Sequence, residues 1–492
     1  MPVDYKELKK DRAQEQREEL RNKLSAKERV KFERVKMPER PPKVRNRDFN
    51  EVPVGLSEEQ ARGEASRCLD CPTPTCVSGC PVNINIPGFI KEIERGDFLG
   101  AARVLKKTNA LPAVCGRVCP QESQCEQRCI YNRMNKRPVA IGALERFSAD
   151  YERNSGNISI PQVAAPNHIK VAIVGSGPAG LTVAGELAKW GYDVTVFEAL
   201  HEYGGVLVYG IPEFRLPKVI VRTEINCLEQ MGVKFINNFI VGRSATFDDL
   251  KKQGFKAFFI ASGAGLPSFM RIPGENLINI YSSNEYLTRV NLMKAYKFPE
   301  YDTPIVRGKS VAVIGGGNTA MDSVRTALRL GAERAMIVYR RSEAEMPARI
   351  EEIHHAKEEG VEFLNLNNPL EYIGDADGRV KQMKIQKMEL GEPDESGRRR
   401  PKPVVGSEYL IDVDTVVVGI GTSPNPLIPQ ALPELETTRW KTIVVNEQTM
   451  QTSIPEMFAG GDIVRGGATV ILAMGDGKIA AENMDKFLQS QK

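Results

Sequence analysis

Residues 169–180 read IKVAIVGSGPAG, and the order of residue types in them decides the fold. A short β-branched run, Ile169 to Val174, meets the glycine turn Gly175-Ser176-Gly177-Pro178-Ala179-Gly180, and a helical stretch, Leu181 to Lys189, follows. A second strand-like run, Asp193 to Phe197, ends at Glu198. Strand, glycine turn, helix, strand and an acid about 20 residues on form a complete dinucleotide-binding βαβ unit, which a bare G-x-G-x-x-G match would not establish. Gly175, Gly177 and Gly180 let the backbone approach a pyrophosphate at the positive end of the helix, and Glu198 can accept hydrogen bonds from a ribose.

The same architecture recurs at residues 310–320, SVAVIGGGNTA, with Gly315, Gly317, Asn318, Thr319 and Ala320 in the turn and a helical stretch, Met321 to Leu330, behind it. Alanine at the third glycine position is allowed by the fingerprint. After the next strand, Ala335 to Tyr339, come Arg340 and Arg341 where an acid would select NAD. A guanidinium can grip a 2′-phosphate with paired charge-assisted hydrogen bonds, and an acid would repel it. The first unit therefore reads as an FAD site and the second as an NADPH site.

Near the C-terminus, Gly460-Gly461-Asp462 is followed by Thr469 and a small-residue helix, Ala473 to Ala481. Asp462 can bind a ribityl hydroxyl, and the helix can present its N-terminus to a flavin ring. Two strand-like runs ending in glycine, Ala257 to Gly263 and Thr415 to Gly421, sit where the chain could cross between units, so the second unit reads as an insertion in the first.

Upstream, eight of the nine cysteines fall between residues 68 and 129: Cys68, Cys71, Cys76, Cys80, then Cys115, Cys119, Cys125, Cys129. Cys80 and Cys119 precede proline, and the first group is a loosened bacterial ferredoxin run, which points to two 4Fe-4S clusters. Paired zinc knuckles would want two C-x2-C pairs, and only Cys68 and Cys71 show that spacing. The opening MPVDYKELKK has no apolar h-region, so a disulfide framework is not expected and the cytoplasm is the expected compartment.

No window approaches 18 uncharged apolar residues, so no membrane span is expected. Residues 1–47 carry 16 Lys/Arg against 9 Asp/Glu, a surplus larger than the whole chain's net charge of +4, and this basic head reads as a solvated helix. The near-neutral body offers no global basic face for nucleic acid. The four histidines and Cys227 read as structural or surface groups, and no side-chain catalytic triad is expected.

Taken together these motifs, with Gly204-Gly205-Val206-Leu207, Tyr209 to Pro217 (which contains Arg215) and Glu345-Met346-Pro347-Ala348, resemble the glutamate synthase small (β) subunit family. That group includes the large subunit of NADH-dependent reduced ferredoxin:NADP oxidoreductase and the N-terminal half of dihydropyrimidine dehydrogenase. The resemblance runs over residues 44–487 and implies a relay from NADPH through FAD and two 4Fe-4S clusters to a partner, with Gly205 and Arg215 among the cofactor-binding residues. The partner would be a glutamate synthase large chain or, in a bifurcating complex, an iron-sulfur flavoprotein, with ferredoxin possible. A non-catalytic assembly or redox-sensing protein is the reading from another class, and the Arg340-Arg341 clamp counts against it. Carried over from the dihydropyrimidine dehydrogenase branch, one cluster takes Cys68, Cys71, Cys76 and Cys129, and the other takes Cys80, Cys119, Cys125 and Glu145, with Cys115 the alternative to Glu145.

The expected fold class is α/β: a charged extension over residues 1–47, a helical two-cluster domain over 48–165, an FAD domain over 166–302 and 424–492, and an NADPH domain over 303–423. The chain lacks an N-terminal nucleophilic cysteine and room for a synthase barrel of about 250 residues, so it is expected to oxidise NADPH but not to make glutamate alone.

Overall fold

The computed structural model of the chain describes residues 3–491; Met1, Pro2 and Lys492, at the ends of the expected extension and FAD domain, lie outside it. The run that opens the sequence reading forms the strand Lys170–Val174, at the centre of a five-stranded parallel sheet. Its neighbours are Phe255–Ile260 and Asp193–Phe197, with Met457–Ala459 and Lys234–Ile236 outside them. Val171 pairs with Val194 and Ile173 with Val196. These strands are buried on both faces, which is why they read as continuous apolar runs instead of alternating ones. The helices Pro178–Lys189 and Val470–Ser490 cover one face together, so the C-terminal segment completes the first nucleotide unit.

A second five-stranded parallel sheet has the order Ile280–Ser282, Thr415–Val418, Ser310–Ile314, Arg334–Tyr339, Glu362–Asn365. It carries its own hydrophobic cluster around Met321, Val324, Ile337 and Val417. Because Ile280–Ser282 pairs with Thr415–Val418, this unit begins before residue 280, and the boundary expected at 303 falls too late. A strand of three residues, two of them polar or aromatic, gives too weak a signal to be read locally. The two crossings between units pair with each other, Leu266–Pro267 antiparallel to Thr422–Ser423. A three-stranded antiparallel sheet, Asn367–Gly374, Val380–Pro393 and Arg399–Asp412, extends from the second unit.

The cysteine region is helical: Glu58–Ser66, Ile86–Arg95, Phe98–Lys106, Pro112–Val118 and Ile141–Ser155. Gly116 and Gly142 sit at close approaches within it. A Cβ at Gly116 would stand 2.5 Å from the Arg146 backbone nitrogen, and one at Gly142 would stand 2.3 Å from Gln121. Helices Pro112–Val118 and Ile141–Ser155 therefore touch at backbone distance. Leu105, Leu111 and Val114 share one apolar cluster with Leu181, Leu187 and Met474, which makes this region and the first nucleotide unit a single core.

The basic head departs from the solvated helix expected of it. It folds as four short helices, Tyr5–Arg12, Glu15–Lys23, Ala26–Arg29 and Pro42–Arg45, and buries Arg17, Arg29 and Arg45. The reason is chemical: its arginines reach carboxylates and carbonyls of the cysteine region, such as Asp70, Glu94 and the Ser66 carbonyl.

Candidate active site: two thiol cavities and two nucleotide turns

All nine cysteines are free thiols. Cys68, Cys71, Cys76 and Cys129 line one cavity, walled by Pro74, Ile90 and Tyr131. Cys80, Cys115, Cys119, Cys125 and Glu145 line a second, and Ile86 and Ile141 belong to both walls. Burial pushes the Cys71 thiol up to about 11, with Cys68 and Cys129 adding repulsion, and pushes Cys80 up to about 12. Such thiols become thiolates only against compensating positive charge, which a metal centre supplies. A single tetrahedral zinc, with Zn–S near 2.3 Å, would draw its sulfurs to about 3.8 Å apart. Among the described residues no three of these sulfurs converge within 4.8 Å, so the cavities fit a larger iron–sulfur centre and not one ion.

Both Cys115 and Glu145 stand at the second cavity, and Asn109 lies between them. Asn109 donates from Nδ2 to Glu145 Oε1 at 2.7 Å, and its Oδ1 is 3.7 Å from Cys115 Sγ. Among the described residues the other Glu145 oxygen has no hydrogen-bond partner, and burial lifts this carboxyl to about 8. Cys115 Sγ also rests 3.5 Å from Met474 Sδ, on the helix of the first nucleotide unit. Ile471 of the same helix lines the cavity, and a Cβ at Gly475 would meet Pro81 at 3.1 Å. The C-terminal helix thus abuts the second thiol cavity.

The two glycine turns have matching geometry. Gly175 and Gly315 have φ of +103° and +134°, and a Cβ there would strike the carbonyl oxygens of Ala261 at 2.5 Å and Gly419 at 2.2 Å on the neighbouring crossover. Gly177 and Gly317 head the helices Pro178–Lys189 and Asn318–Arg329 with no side-chain cap, and a Cβ at either would meet open space. Their first N–H groups are therefore left for an anion.

At the first turn, Gly180 packs a hypothetical Cβ 2.1 Å from the Gly175 oxygen, and Gly205 brings one within 3.0 Å of Gly177 Cα. Glu198 is buried at the end of its strand and accepts from Ser176 N at 2.9 Å, Ser176 Oγ at 2.5 Å and Leu200 N at 2.9 Å. It shapes the turn through Ser176. Asp462 Oδ1 accepts from Ala468 N at 2.8 Å, and Thr469 caps the helix Val470–Ser490 by accepting from Leu472 N. Asp476, which the sequence reading missed, is buried and holds Gly461 N at 3.0 Å and Arg465. Arg215, expected among the cofactor-binding residues, is engaged with two carboxylates of the second unit. Its Nη1 donates to both oxygens of Asp322 at 2.8 Å, and its Nε lies 2.9 Å from Glu352, so it clamps the two nucleotide units together.

The second turn opens onto a cavity of about 420 Å³ lined by Gly315, Gly317, Thr319, Pro347, Arg340, Arg341 and Arg398. Asn318 Oδ1 accepts from Arg349 N at 2.9 Å, and Ala320 is buried beneath the turn. The two sequence-predicted arginines are not equivalent. Arg341 is buried and donates to Asp394 at 2.6 Å and to the Arg399 carbonyl at 2.8 Å. Arg340 is exposed, with no hydrogen-bond or ion-pair partner among the described residues. The Arg398 guanidinium, from the turn of the long hairpin, bonds Ser396 alone among the described residues and reaches the same cavity. The sequence reading missed it because it lies far along the chain from the glycine turn.

Two family profiles match the chain: dihydropyrimidine dehydrogenase domain II, 4Fe-4S cluster, over residues 45–157, and pyridine nucleotide-disulphide oxidoreductase over residues 169–477. The small chain of glutamate synthase [NADPH] from Azospirillum brasilense is 37% identical over 462 residues, covering 93% of this chain and 95% of the relative. The Escherichia coli small chain is 38% identical, covering 94% and 98%. The chain belongs to the glutamate synthase small-chain family. The β subunit of the NADP(+)-dependent formate dehydrogenase of Moorella thermoacetica is 38% identical over 85% of this chain and 60% of its own length. Among solved structures, FprA from Mycobacterium tuberculosis, determined also in complex with NADPH, aligns with a TM-score of 0.55 at 21% identity, over 66% of this chain and 85% of its own. That likeness is one of fold. The small-chain fold is thus an iron–sulfur domain followed by an oxidoreductase of paired nucleotide units.

One further part of the small-chain site lies on its seam. Arg349 donates to Gln121 Oε1 at 2.6 Å and to the Arg117 carbonyl at 2.9 Å, tying the second nucleotide unit to the thiol region. Beside it Arg325 and Arg329 hold Glu359, and Arg329 lies 3.8 Å over the Phe214 ring. His355 is buried and faces Glu39 at 3.2 Å, while Glu39 is held by Arg45 and Glu351 by Arg349.

Proposed function

We propose that the chain is the NADPH-oxidising, electron-delivering small subunit of a glutamate synthase-type enzyme and works with a larger second subunit. NADPH binds at the Gly315 turn, FAD at the Gly175 turn, and two 4Fe-4S clusters occupy the Cys68 and Cys80 cavities. The observation that carries the reading is the contact of Ile471 and Met474, on the helix that completes the first nucleotide unit, with the Cys80 cavity. When bound, the flavin accepts a hydride from NADPH and releases electrons singly to the clusters, a conversion no nicotinamide performs alone.

The chain's own residues bind and orient. Arg340 and Arg398 grip the 2′-phosphate, while Arg341 braces the hairpin that carries Arg398. Gly177 and Gly317 leave room for the two pyrophosphates. Asp462 and Thr469 face the flavin's ribityl and ring. Cys68, Cys71, Cys76 and Cys129 hold one cluster, and Cys80, Cys119, Cys125 and Glu145 the other. The Glu145 oxygen left unpartnered among the described residues, in a cavity where they offer it no cation, supports its role over that of Cys115. We place the protein in the cytoplasm, where eight thiols stay reduced; no helix is long and apolar enough to cross a membrane.

The test is an anaerobic spectral titration of the purified chain with NADPH and then NADH, with iron and flavin quantified. About eight irons, one flavin and bleaching by NADPH are expected. Intact cofactors that neither nucleotide reduces would refute the input role.

A further inference from the structure

Asp70 sits between Cys68 and Cys71 with a left-handed φ of 51° and a fully buried carboxylate. Three arginines of the N-terminal helices converge on it. Arg17 Nη2 donates to Oδ1, Arg21 Nη1 donates to Oδ2 at 2.6 Å, and Arg12 Nε donates to the Asp70 carbonyl at 2.8 Å. Asp11 pairs with Arg17, so three guanidiniums face two carboxylates. On the flanks of the same loop, Lys91 Nζ donates to the Cys68 carbonyl at 2.6 Å and Arg29 Nη1 to the Ser66 carbonyl at 2.6 Å, with Glu94 answering both. The Cys68 cavity thus carries an excess of buried or half-buried positive charge. The Cys80 cavity instead presents Glu145, whose hydrogen-bond partner is the neutral amide of Asn109.

Resting on the function proposed above, we infer that these arginines and Asp70 form an electrostatic clamp that raises the reduction potential at the Cys68 cavity above that at the Cys80 cavity. Reduction adds one electron to a centre already made negative by four thiolates, and nearby guanidiniums stabilise that added charge. A unit charge about 12 Å away at an effective dielectric near 20 shifts the electron-sharing equilibrium about tenfold. The clamp also gives direction: electrons entering beside the C-terminal helix run toward the cavity under the N-terminal helices. Arg12, Arg17 and Arg21 are positioning residues, since they touch the loop and not the ligand sulfurs.

The experiment is an EPR-monitored redox titration of the full chain, with iron counted in each sample. Arg17→Gln with Arg21→Gln should lower one cluster's potential, and Asp70→Asn, which keeps the arginines and removes a negative charge, should raise the same one. At about tenfold per unit charge, ~59 mV for a one-electron couple, Asp70→Asn should shift the equilibrium about tenfold and the double variant about a hundredfold, with the other cluster unmoved. Shifts in the same direction, or none with iron intact, would overturn the clamp. If the double variant loses iron, Arg12→Gln decides: it leaves both carboxylate bonds of Asp70 in place and should still lower the potential, and an unchanged value refutes the inference. A wild-type chain without clusters would instead defeat the function proposed above.

Discussion

Replacing Arg340 with alanine tests the nucleotide site at its most exposed point. The side chain lines the cavity over the Gly315 turn and is tied to no group among the described residues, so its removal breaks no bond among them. A hydrogen bond to a charged partner contributes about 1.5–3 kcal/mol, and each 1.36 kcal/mol is tenfold in rate. The kcat/KM for NADPH should therefore fall about 10- to 150-fold, while that for NADH stays within about twofold. Arg398→Ala should act in the same direction, because its guanidinium reaches the cavity from the opposite strand turn with Ser396 as its one partner among the described residues. Arg341→Ala should differ in kind: it removes the Asp394 ion pair and a bond to the Arg399 carbonyl, so it loosens the hairpin and lowers thermal stability too. The assay is steady-state reduction of an artificial one-electron acceptor with each nucleotide, beside a melting curve. Equal losses with NADPH and NADH in Arg340→Ala would refute the 2′-phosphate assignment.

Glu145→Ala should alter or abolish one cluster's EPR signal while Cys115→Ala leaves both, and the reverse pattern would give the second centre four cysteines. Gly477→Val should empty the flavin site, since a Cβ at Gly477 already stands 2.7 Å from the Ala179 oxygen behind the GSGPAG turn; stoichiometric FAD in that variant would count against the C-terminal helix as part of the site. Burial alone would raise the Glu359 carboxyl, but Arg325 and Arg329 hold it far below the glutamate range. A depressed folded pKa contributes stability that is present above the unfolded value of about 4.3 and is lost as pH falls through that value toward the folded one. The melting temperature should drop steeply below about pH 4.3. Glu359→Gln should shrink that acid limb while destabilising the neutral protein by about 3–5 kcal/mol, and an unaltered limb would show that other carboxylates govern it.

What could be read from the sequence was what is local. The glycine turn at residues 175–180 announces itself because strand, turn and helix each leave a short-range signature, and both parallel sheets follow from two such units. The grouping of Cys129 with Cys68 came from family resemblance and not from spacing, because three α-helices intervene between them. The ion pairs were invisible for a different reason. Arg17 meets Asp70 across 53 positions and Arg215 meets Asp322 across 107, and such pairs impose no periodicity on either segment. Hence the N-terminal head read as a solvated helix, and the ion pair of Arg215 with Asp322 left no trace in the sequence.

The seam between the second nucleotide unit and the thiol region shows what those long-range pairs accomplish. Pro347 lines the nucleotide cavity, and Ala348 N donates to the Gly316 carbonyl at 3.2 Å. Arg349 N donates to Asn318 at the head of the nucleotide helix, and its guanidinium reaches Gln121, which lines the Cys80 cavity and bonds the Cys115 carbonyl. Three consecutive residues therefore join the glycine turn to the wall of a thiol cavity. An apolar contact of similar area would let the two slide, because dispersion and hydrophobic burial have no preferred direction. Bonds from one planar guanidinium to a carbonyl, an amide and two carboxylates fix orientation as well as distance. Apolar packing joins the first nucleotide unit to the thiol region, and directional charge joins the second, so the unit that must receive and release a soluble nucleotide is held in register without being fused to the core.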